Sequence, residues 1–288
     1  MENNYWKFYE EKNISNNINL KRFTFDNEFN KEIDLSNNVN LKYLNFGEKF
    51  NKKIDLSKNI NLTDLYFGVK FNQEIDLSNN INLTHLNLGD YFNTKIDLSN
   101  NINLTHLEFS SSFNKEIDLS NNINLIKLNF GYNFNTKIDL SNNINLTHLY
   151  FGYKFNKKID LSNNINLTHL TLGYLFNREI VIPLNVKSLT MNYCYNQYII
   201  DNLHNNIEEL IIYKTELNLD NLPNSIKKLY INKYTKELNN LPNSIEYLEL
   251  KKYNLKIKKI PKNLKTLKCD KDYKYIDDFK DYKVICNY

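Results

Sequence analysis

Residues 50–70 read F-N-K-K-I-D-L-S-K-N-I-N-L-T-D-L-Y-F-G-V-K and residues 71–91 read F-N-Q-E-I-D-L-S-N-N-I-N-L-T-H-L-N-L-G-D-Y, two copies of one 21-residue unit. The same step runs from Phe29 through Phe50, Phe71, Phe92, Phe113, Phe134 and Phe155 to Phe176, each followed by Asn. It also carries Ile33 to Ile180, Leu44 to Leu170 and the Asp-Leu-Ser block from Asp34 to Asp160. Traces of the unit reach back to Ile14, Leu20, Phe23 and Phe25, and as far as Phe8. Beyond Phe176 the unit shortens to L-P-N-S-I-K-K-L-Y-I at 222–231, L-P-N-S-I-E-Y-L-E-L at 241–250 and I-P-K-N-L-K-T-L-K-C at 260–269. The Leu column continues through Leu189, Leu210, Leu229, Leu248 and Leu267, so counted from Phe23 it has thirteen members. A fixed short period of this kind is the signature of a solenoid.

A unit this short cannot hold two helices, and both L-x-x-L-x-F and I-D-L alternate with the period of two that marks strands. The expected fold is a β-rich, leucine-rich-repeat-like repeat solenoid of about thirteen coils of 19–21 residues with stacked parallel strands. Two short strands are expected in each coil, building two parallel sheets. In one, Leu44 and Phe46 point inward while Tyr43 and Asn45 point out; in the other, Ile33 and Leu35 point inward while Glu32 and Asp34 point out. Columns that never vary between units are read as interior. The Phe-Asn pair and the column Asn38, Asn59, Asn80, Asn101, Asn122, Asn143 and Asn164 belong to them. An interior Asn amide can serve both an N–H and a C=O of the neighbouring coil. All six Gly fall in one column and all four Pro in another, which implies one recurring turn geometry.

Residues 1–269 are read as a single solenoid, with regular units over 8–180 and the shorter form over 181–269. Residues 270–288, where the periodicity stops, are read as a C-terminal cap over the last apolar layer. Tyr5, Trp6 and Phe8 are expected to cap the other end.

Composition narrows the classes. With 41% hydrophobic, 14% aromatic and 24% charged residues in 288, the chain has enough apolar surface for a core and is not disordered. No uncharged apolar run approaches the ~18 residues of a membrane span. The opening residues show no secretory signal. Cys194, Cys269 and Cys286 are odd in number and form no CxxC pair, which points to a reducing, intracellular location such as a host or cell cytoplasm. A net charge of +4 is too small to imply nucleic acid. About a fifth of the residues are Asn and none is Ala, a bias that an A·T-rich genome would give.

The L-x-x-L-x-F segment followed by F-N, together with L-P-N-S-I-x-x-L, resembles the FNIP repeat, a leucine-rich-repeat-like family of giant DNA viruses and social amoebae. The resemblance covers about Phe8 to Cys269, with I-D-L-S-N-N-I-N standing where the family has its I-P-N-S core. It implies a binding module with no catalytic residues to transfer. Many relatives carry an F-box ahead of the repeats; the dozen residues before the first unit are too few for one, so a ubiquitin-ligase role does not carry over.

Several columns bear on chemistry. His85, His106, His148 and His169 share one column, but a flat row offers a metal ligands from one direction only, so no metal site is expected. A solvated recognition face fits better, because Tyr, His and Asn give contact area at low entropy cost. The expected partner-binding residues are Tyr43, Tyr66, His85, His106, Glu108, His148, Tyr150 and His169. The Asp34 to Asp160 row is expected to accept bonds from the Ser two residues on, calcium along the row being the alternative. Glu32, Lys53, Glu74, Lys95, Glu116 and Lys137 alternate in sign and suggest a cross-strand ion-pair ladder. Segment 251–268 holds eight Lys and no acid, which could attract phosphate, though a solvated end explains it as well. No GxSxG, HExxH, P-loop or GxGxxG occurs, and no cofactor is expected. The expected function is a non-catalytic scaffold that binds a protein partner through the variable face of the L-x-x-L-x-F sheet. The alternatives are a structural or self-assembling repeat protein of a virion or cell surface, and a polysaccharide-acting β-solenoid enzyme. The presence of only Arg22 and Arg178 weakens the enzyme.

Overall fold

A computed structural model describes residues 14, 15, 17–192, 196–213 and 216–286. Tyr5, Trp6, Phe8 and Cys194 lie outside the described residues. The chain forms two compact units, Met1–Thr147 with Phe151–Tyr153, and His148–Tyr150 with Lys154–Tyr288.

In the first unit, β1 (Arg22–Thr24), β2 (Tyr43–Asn45), β3 (Asp64–Tyr66), β4 (His85–Asn87), β5 (His106–Glu108) and β6 (Lys127–Asn129) pair in chain order, all parallel. Phe23, Leu44, Leu65, Leu86, Leu107 and Leu128 face one another in register. Each strand is three residues long with its middle residue buried, which is what a single turn of L-x-F alternation dictates. In the second unit β7 (His148–Tyr150), β8 (His169–Thr171), β9 (Ser188–Asn192), β10 (Glu209–Tyr213), β11 (Lys228–Asn232), β12 (Tyr247–Lys251), β13 (Thr266–Cys269) and β14 (Lys283–Cys286) continue the parallel pattern. A short helix, α1 (Gln197–Asp201), precedes β10, and a 3-10 turn at Ile276–Phe279 precedes β14. The thirteen members of the Leu column sit on β1 to β13. Val284 of β14 stands opposite Leu267.

The I-D-L segments form no strand among the described residues, so each unit has one sheet and the second sheet is absent. Inward and outward directions are nevertheless as expected: Ile54, Leu56, Ile75 and Leu77 are buried and the Asp between them is exposed. The ladder fails because the backbone turns away at once. Each Asp Oδ1 accepts the N–H of the Ser two residues on, at 2.8 Å for Asp34, Asp55 and Asp76, closing an Asx turn where a strand would have to continue.

The core is aromatic and layered. Phe50, Phe71, Phe92, Phe113 and Phe134 are fully buried, with ring centroids 6.0–6.2 Å apart from coil to coil and nearly parallel planes. A second column runs beside it, Phe46 lying 5.2 Å from Phe67 and 4.2 Å from Phe50.

Asn ladders tie successive coils, three of them with bonds of about 3 Å and a fourth, longer one from Asn79, Asn100, Asn121 and Asn142 Nδ2 to the Ser57, Ser78, Ser99 and Ser120 carbonyls. Asn59 Nδ2 donates to the carbonyls of Leu35 and Asn38, both at 3.0 Å, and Asn80, Asn101 and Asn122 repeat the pattern. Only the donor half of the amide is used: Oδ1 of Asn59, Asn80, Asn101 and Asn122 is buried with no hydrogen-bond partner among the described residues. The expected double service to N–H and C=O is therefore corrected, because the inward turn presents two carbonyls and no N–H. In the Phe-Asn column the roles reverse, Asn30 Oδ1 accepting the Asn51 N–H at 2.9 Å and Asn51 Oδ1 the Asn72 N–H at 2.9 Å. The third ladder is exposed: Asn61 Nδ2 donates to Val39 O and Asn82 Nδ2 to Ile60 O, both at 2.9 Å. Asn is thus a structural component of this fold, beyond any compositional bias.

The Gly column marks close approach more than turn conformation. A Cβ on Gly68 would lie 2.1 Å from the Gly47 carbonyl oxygen, while a positive φ, 71°, occurs among the described Gly only at Gly89. The test that equates an invariant column with the interior fails at several positions: the Asp row, the Ser after it, the Asn of the Phe-Asn pair, and Asn61 with its counterparts are exposed or half-buried. Ile60, Ile81, Ile102 and Ile123 are about half exposed, since Asn59 and Leu62 and their counterparts take both inward directions of that turn.

Candidate interaction surface

Alternation along β1 to β6 leaves two columns of side chains facing outward. Register places Arg22, Tyr43, Asp64, His85, His106 and Lys127 in one, and Thr24, Asn45, Tyr66, Asn87, Glu108 and Asn129 in the other. Parallel pairing in register brings each side chain against its neighbour one coil away. The Arg22 guanidinium lies 4.1 Å above the Tyr43 ring, and Tyr43 and Tyr66 approach to 5.4 Å. His85 stacks on His106 at 4.4 Å. Glu108 is held by two amides, Asn87 Nδ2 at 2.8 Å and Asn129 Nδ2 at 3.1 Å.

Hydrogen bonding assigns the histidine tautomer. The Thr84 hydroxyl has one proton, which goes to the Thr63 carbonyl at 3.0 Å, so its 2.9 Å contact with His85 Nδ1 requires that nitrogen to donate. Asp64 Oδ1, 3.4 Å away, reinforces the same choice. Thr105 does likewise between Thr84 O and His106 Nδ1, both at 3.0 Å. On a neutral ring so oriented, Nε2 is the acceptor. Burial pushes the His106 pKa below the ordinary histidine value, and the neighbouring His85 and Lys127 push it further down, so the ring is a neutral acceptor at neutral pH. Burial raises the Tyr66 pKa, with Asp64 and Tyr43 adding to the effect, so its hydroxyl is a donor. At the carboxyl ends of these strands a cleft of ≈ 320 Å³ opens, lined among others by Glu108, Asp90, Tyr132 and Tyr153.

In the second unit His148 stacks on His169 at 4.2 Å, and His148 lies 6.3 Å from Tyr150, whose register partner is Thr171. The eight expected residues therefore fall into two groups, one per unit. Tyr43, Tyr66, His85, His106 and Glu108 line the first unit's face; His148, Tyr150 and His169 line the second's. A further cluster on the second unit was missed. Tyr230 and Tyr247 lie 5.3 Å apart, Glu249 accepts the Tyr247 hydroxyl at 3.0 Å, and Lys268 reaches Glu249 at 3.2 Å. Register sets Tyr230, Glu249 and Lys268 in a single outward column. Burial raises the pKa of both Tyr to about 12. The signal was available, since L-x-x-L-x-[IL] in the short units leaves the same outward positions as L-x-x-L-x-F.

The other outward rows are bland. Ser N–H bonds, then Ser hydroxyls, hold Asp34, Asp55, Asp76, Asp97, Asp118 and Asp160 below the ordinary carboxylate pKa. Among the described residues no group of three or more His, Cys, Asp or Glu is placed to hold a metal ion. The alternating Glu32, Lys53, Glu74, Lys95, Glu116 and Lys137 are exposed, and none of them is ion-paired among the described residues, so the expected ladder is absent. Exposure explains it: long solvated side chains gain little by giving up rotamer freedom. Four of the basic-segment lysines are instead paired, Lys258 with Glu237 and Lys265 with Glu246 at 2.6 Å, Lys268 with Glu249 at 3.2 Å and Lys256 with Asp278 at 3.5 Å. Among the described residues no helix is long and apolar enough to cross a membrane.

Comparison with known proteins agrees with this architecture. The FNIP repeat model matches residues 213–253. No curated protein matches the sequence. Among solved structures, CroV588 of the giant virus CroV, a novel circular LRR protein, is similar at 30% identity and TM-score 0.69, over 93% of this chain and 43% of its own. This chain therefore spans less than half the length of that relative. An internalin, InlF, from Listeria monocytogenes is similar at 17% identity and TM-score 0.55, over 87% of each chain. The functional domain of InlJ from the same bacterium, which includes a cysteine ladder, is similar at 18% identity and TM-score 0.51, over 88% of this chain and 68% of its own. These two likenesses show the fold alone.

Proposed function

Taking as premise a chain that carries FNIP repeats on a leucine-rich-repeat-like frame, we propose that it is a non-catalytic scaffold that binds a protein partner through the outward face of its strands. The observation that carries this is the contrast between outward columns. The Asp row is the same in every coil from Asp34 to Asp160, and a surface that repeats itself does not single out a partner. The strand face changes from coil to coil, offering Tyr43, Asp64, His85, His106 and Lys127 in one column and Tyr66, Asn87 and Glu108 in the other. Its side chains are also held by their neighbours, so less conformational freedom is lost on binding. Aromatic residues supply most of the energy in such contacts, which makes Tyr43, Tyr66 and Tyr150 the anchors and His85, His106, Glu108, His148 and His169 the polar selectors. Residues 1–269 act as one repeat series, with 270–288 closing its last layer.

The test is capture of the native partner from the native cell. Tyr66→Ala, His106→Ala and Tyr150→Ala together should abolish capture without lowering the melting temperature by more than a few degrees. Lys53→Glu with Glu74→Lys should leave capture unchanged. Capture that survives the triple variant and is lost with the charge reversal places the partner elsewhere.

A further inference from the structure

In the first unit Ile18, Val39, Ile60, Ile81, Ile102, Ile123 and Ile144 are 42–58% exposed. They occur once per coil at one repeat position, so they form a continuous aliphatic row with a spacing of about 5 Å. The position before the buried Asn and the position after the Ile flank the row, and both are Asn in every coil except at Lys58. A chain with 24% charged residues thus keeps an almost charge-free band beside its sheet. The band is also rigid. Asn61, Asn82, Asn103 and Asn124 each donate at 2.9 Å to the carbonyl of the row residue in the coil before. The other outward columns are polar, charged or variable from coil to coil, whereas this one stays aliphatic throughout.

We propose that this row seats a second copy of the same chain, in a two-fold contact that sets row against row. Identical side chains at strand spacing interdigitate best with side chains at the same spacing, and another copy supplies that period along its whole length. A two-fold contact uses the same patch on both molecules, so an uncharged patch lets two chains of net charge +4 meet without like charges facing each other. The area suffices: seven half-exposed aliphatic side chains with their Asn borders offer on the order of 700 Å² per copy, close to the ~800 Å² each partner gives to a stable dimer. Full overlap sets Ile81, the middle member of the row, against Ile81 of the second copy, for either orientation of the two-fold axis in the plane of contact. This contact is separate from the strand face proposed to bind a partner.

The experiment is sedimentation velocity on the full chain over a dilution series spanning the micromolar range. The wild-type chain should sediment as a dimer at the upper end. Ile81→Lys with Ile102→Lys should sediment as a monomer throughout, with an unchanged thermal melt. Ile81→Ser, a milder change that keeps the fold even where the double variant does not, should weaken dimerisation about tenfold. The variant Tyr66→Ala, His106→Ala and Tyr150→Ala should remain dimeric, which separates this contact from the strand face. A wild-type chain that is monomeric over the whole series overturns the proposal, as does a dimer that survives Ile81→Ser and the Lys pair unchanged. So does a different protein that occupies the row while the chain itself stays monomeric.

Discussion

In the 21-residue coils a buried Asn gives two amide protons to the coil before it, whereas in the shorter coils Pro183, Pro223, Pro242 and Pro261 stand at the corresponding turn. The correspondence is visible in the turn bond itself: Leu62 N–H donates to Asn59 O at 3.1 Å, and Ile226 N–H to Pro223 O at 3.3 Å. Proline brings no donor, so the links between coils pass to other groups, His204 reaching the equivalent carbonyl and the Ser hydroxyls a different one three residues further along. Ser225 and Ser244 hydroxyls donate to Ile207 O at 2.7 Å and Ile226 O at 2.8 Å, and His204 Nε2 bonds Pro183 O at 2.9 Å. The aromatic column changes in step. Tyr234, Tyr253 and Tyr273 keep ring spacings of 6.2 and 6.3 Å, close to those of the Phe column, but carry hydroxyls into the core. Those hydroxyls bond Leu217 O at 2.9 Å, the Leu238 N–H at 3.2 Å and Leu255 O at 3.1 Å. The strands lengthen as well, from three residues in β1 to β8 to four or five in β9 to β13. What the two kinds of coil share is a hydrogen-bonded side-chain link to the coil before and a continuous apolar column. Which residue supplies each is interchangeable, provided the others shift with it.

The largest expected effect tests the dry column of the long coils. Phe92→Ala and Phe134→Ala should each cost ~3–5 kcal/mol in urea melts, because a buried ring is removed from between two stacked neighbours. Midpoints unchanged by both would show that the column does not carry the core. The Asn ladder comes next. Asn101→Asp is nearly isosteric but turns two donors into acceptors facing the Leu77 and Asn80 carbonyls, and should cost more than ~3 kcal/mol at neutral pH. Asn101→Ala should cost only ~2 kcal/mol, since both carbonyls retain their turn bonds. Equal losses for the two variants would mean that the amide fills space and nothing more. In the short coils Tyr253→Phe keeps the ring and leaves the Leu238 N–H without its acceptor, so ~1 kcal/mol is expected, and no loss would mean that N–H finds another partner.

The smallest effect is a difference in pH dependence. The Asp row of the long coils is held below its ordinary value of 3.8, so the stability it contributes is present above about pH 4 and is lost as pH falls through the lowered values. Tyr234 and Tyr253 are raised by burial from 10.0 to about 12, so their contribution is complete below pH 10 and is lost as pH rises through about 12. Hydrogen exchange resolved by segment should therefore show acid loosening residues 34–160 first and alkali loosening residues 217–273 first. Exceptions exist on both sides, since Glu208 and Glu246 in the short coils are lowered by their Lys partners and Tyr66 in the long coils is raised. The same order of loosening at both extremes would remove the contrast.

Strand position, register and the Phe and Leu columns were legible because a repeat displays its own spacing. The I-D-L strand was misread because three alternating residues look the same whether a ladder continues or an Asx turn closes, and the deciding atom, the Asp Oδ1, is silent in a pattern of apolar positions. The Asn of the Phe-Asn pair was misread as interior because invariance does not distinguish a column that packs inward from one that faces out, and the half-exposed Ile row was not singled out at all. Asn59 and Leu62 had already filled the inward directions. On the candidate face the outward residues of the long coils followed from alternation. Their lateral support did not, because the Asn87 and Asn129 grip on Glu108 depends on in-register strands meeting side by side. Tyr230, Tyr247 and Glu249 were passed over because the outward positions were compared only among the 21-residue units, although the Leu column beside them had been followed through Leu229 and Leu248.

The side-chain ladders have a direction. The Nδ2 atoms of Asn59, Asn80, Asn101 and Asn122 reach back 21 and 24 residues, the Thr84 and Thr105 hydroxyls reach back 21, and Ser225 and Ser244 reach back 18. In each case the later coil brings the proton and the earlier one holds the oxygen. During synthesis the chain leaves the ribosome amino end first, at about 5–20 residues per second. A new coil therefore emerges roughly every one to four seconds carrying the donors that fasten it to acceptors already in place. The stack can grow in the order in which it is translated, without waiting for its far end.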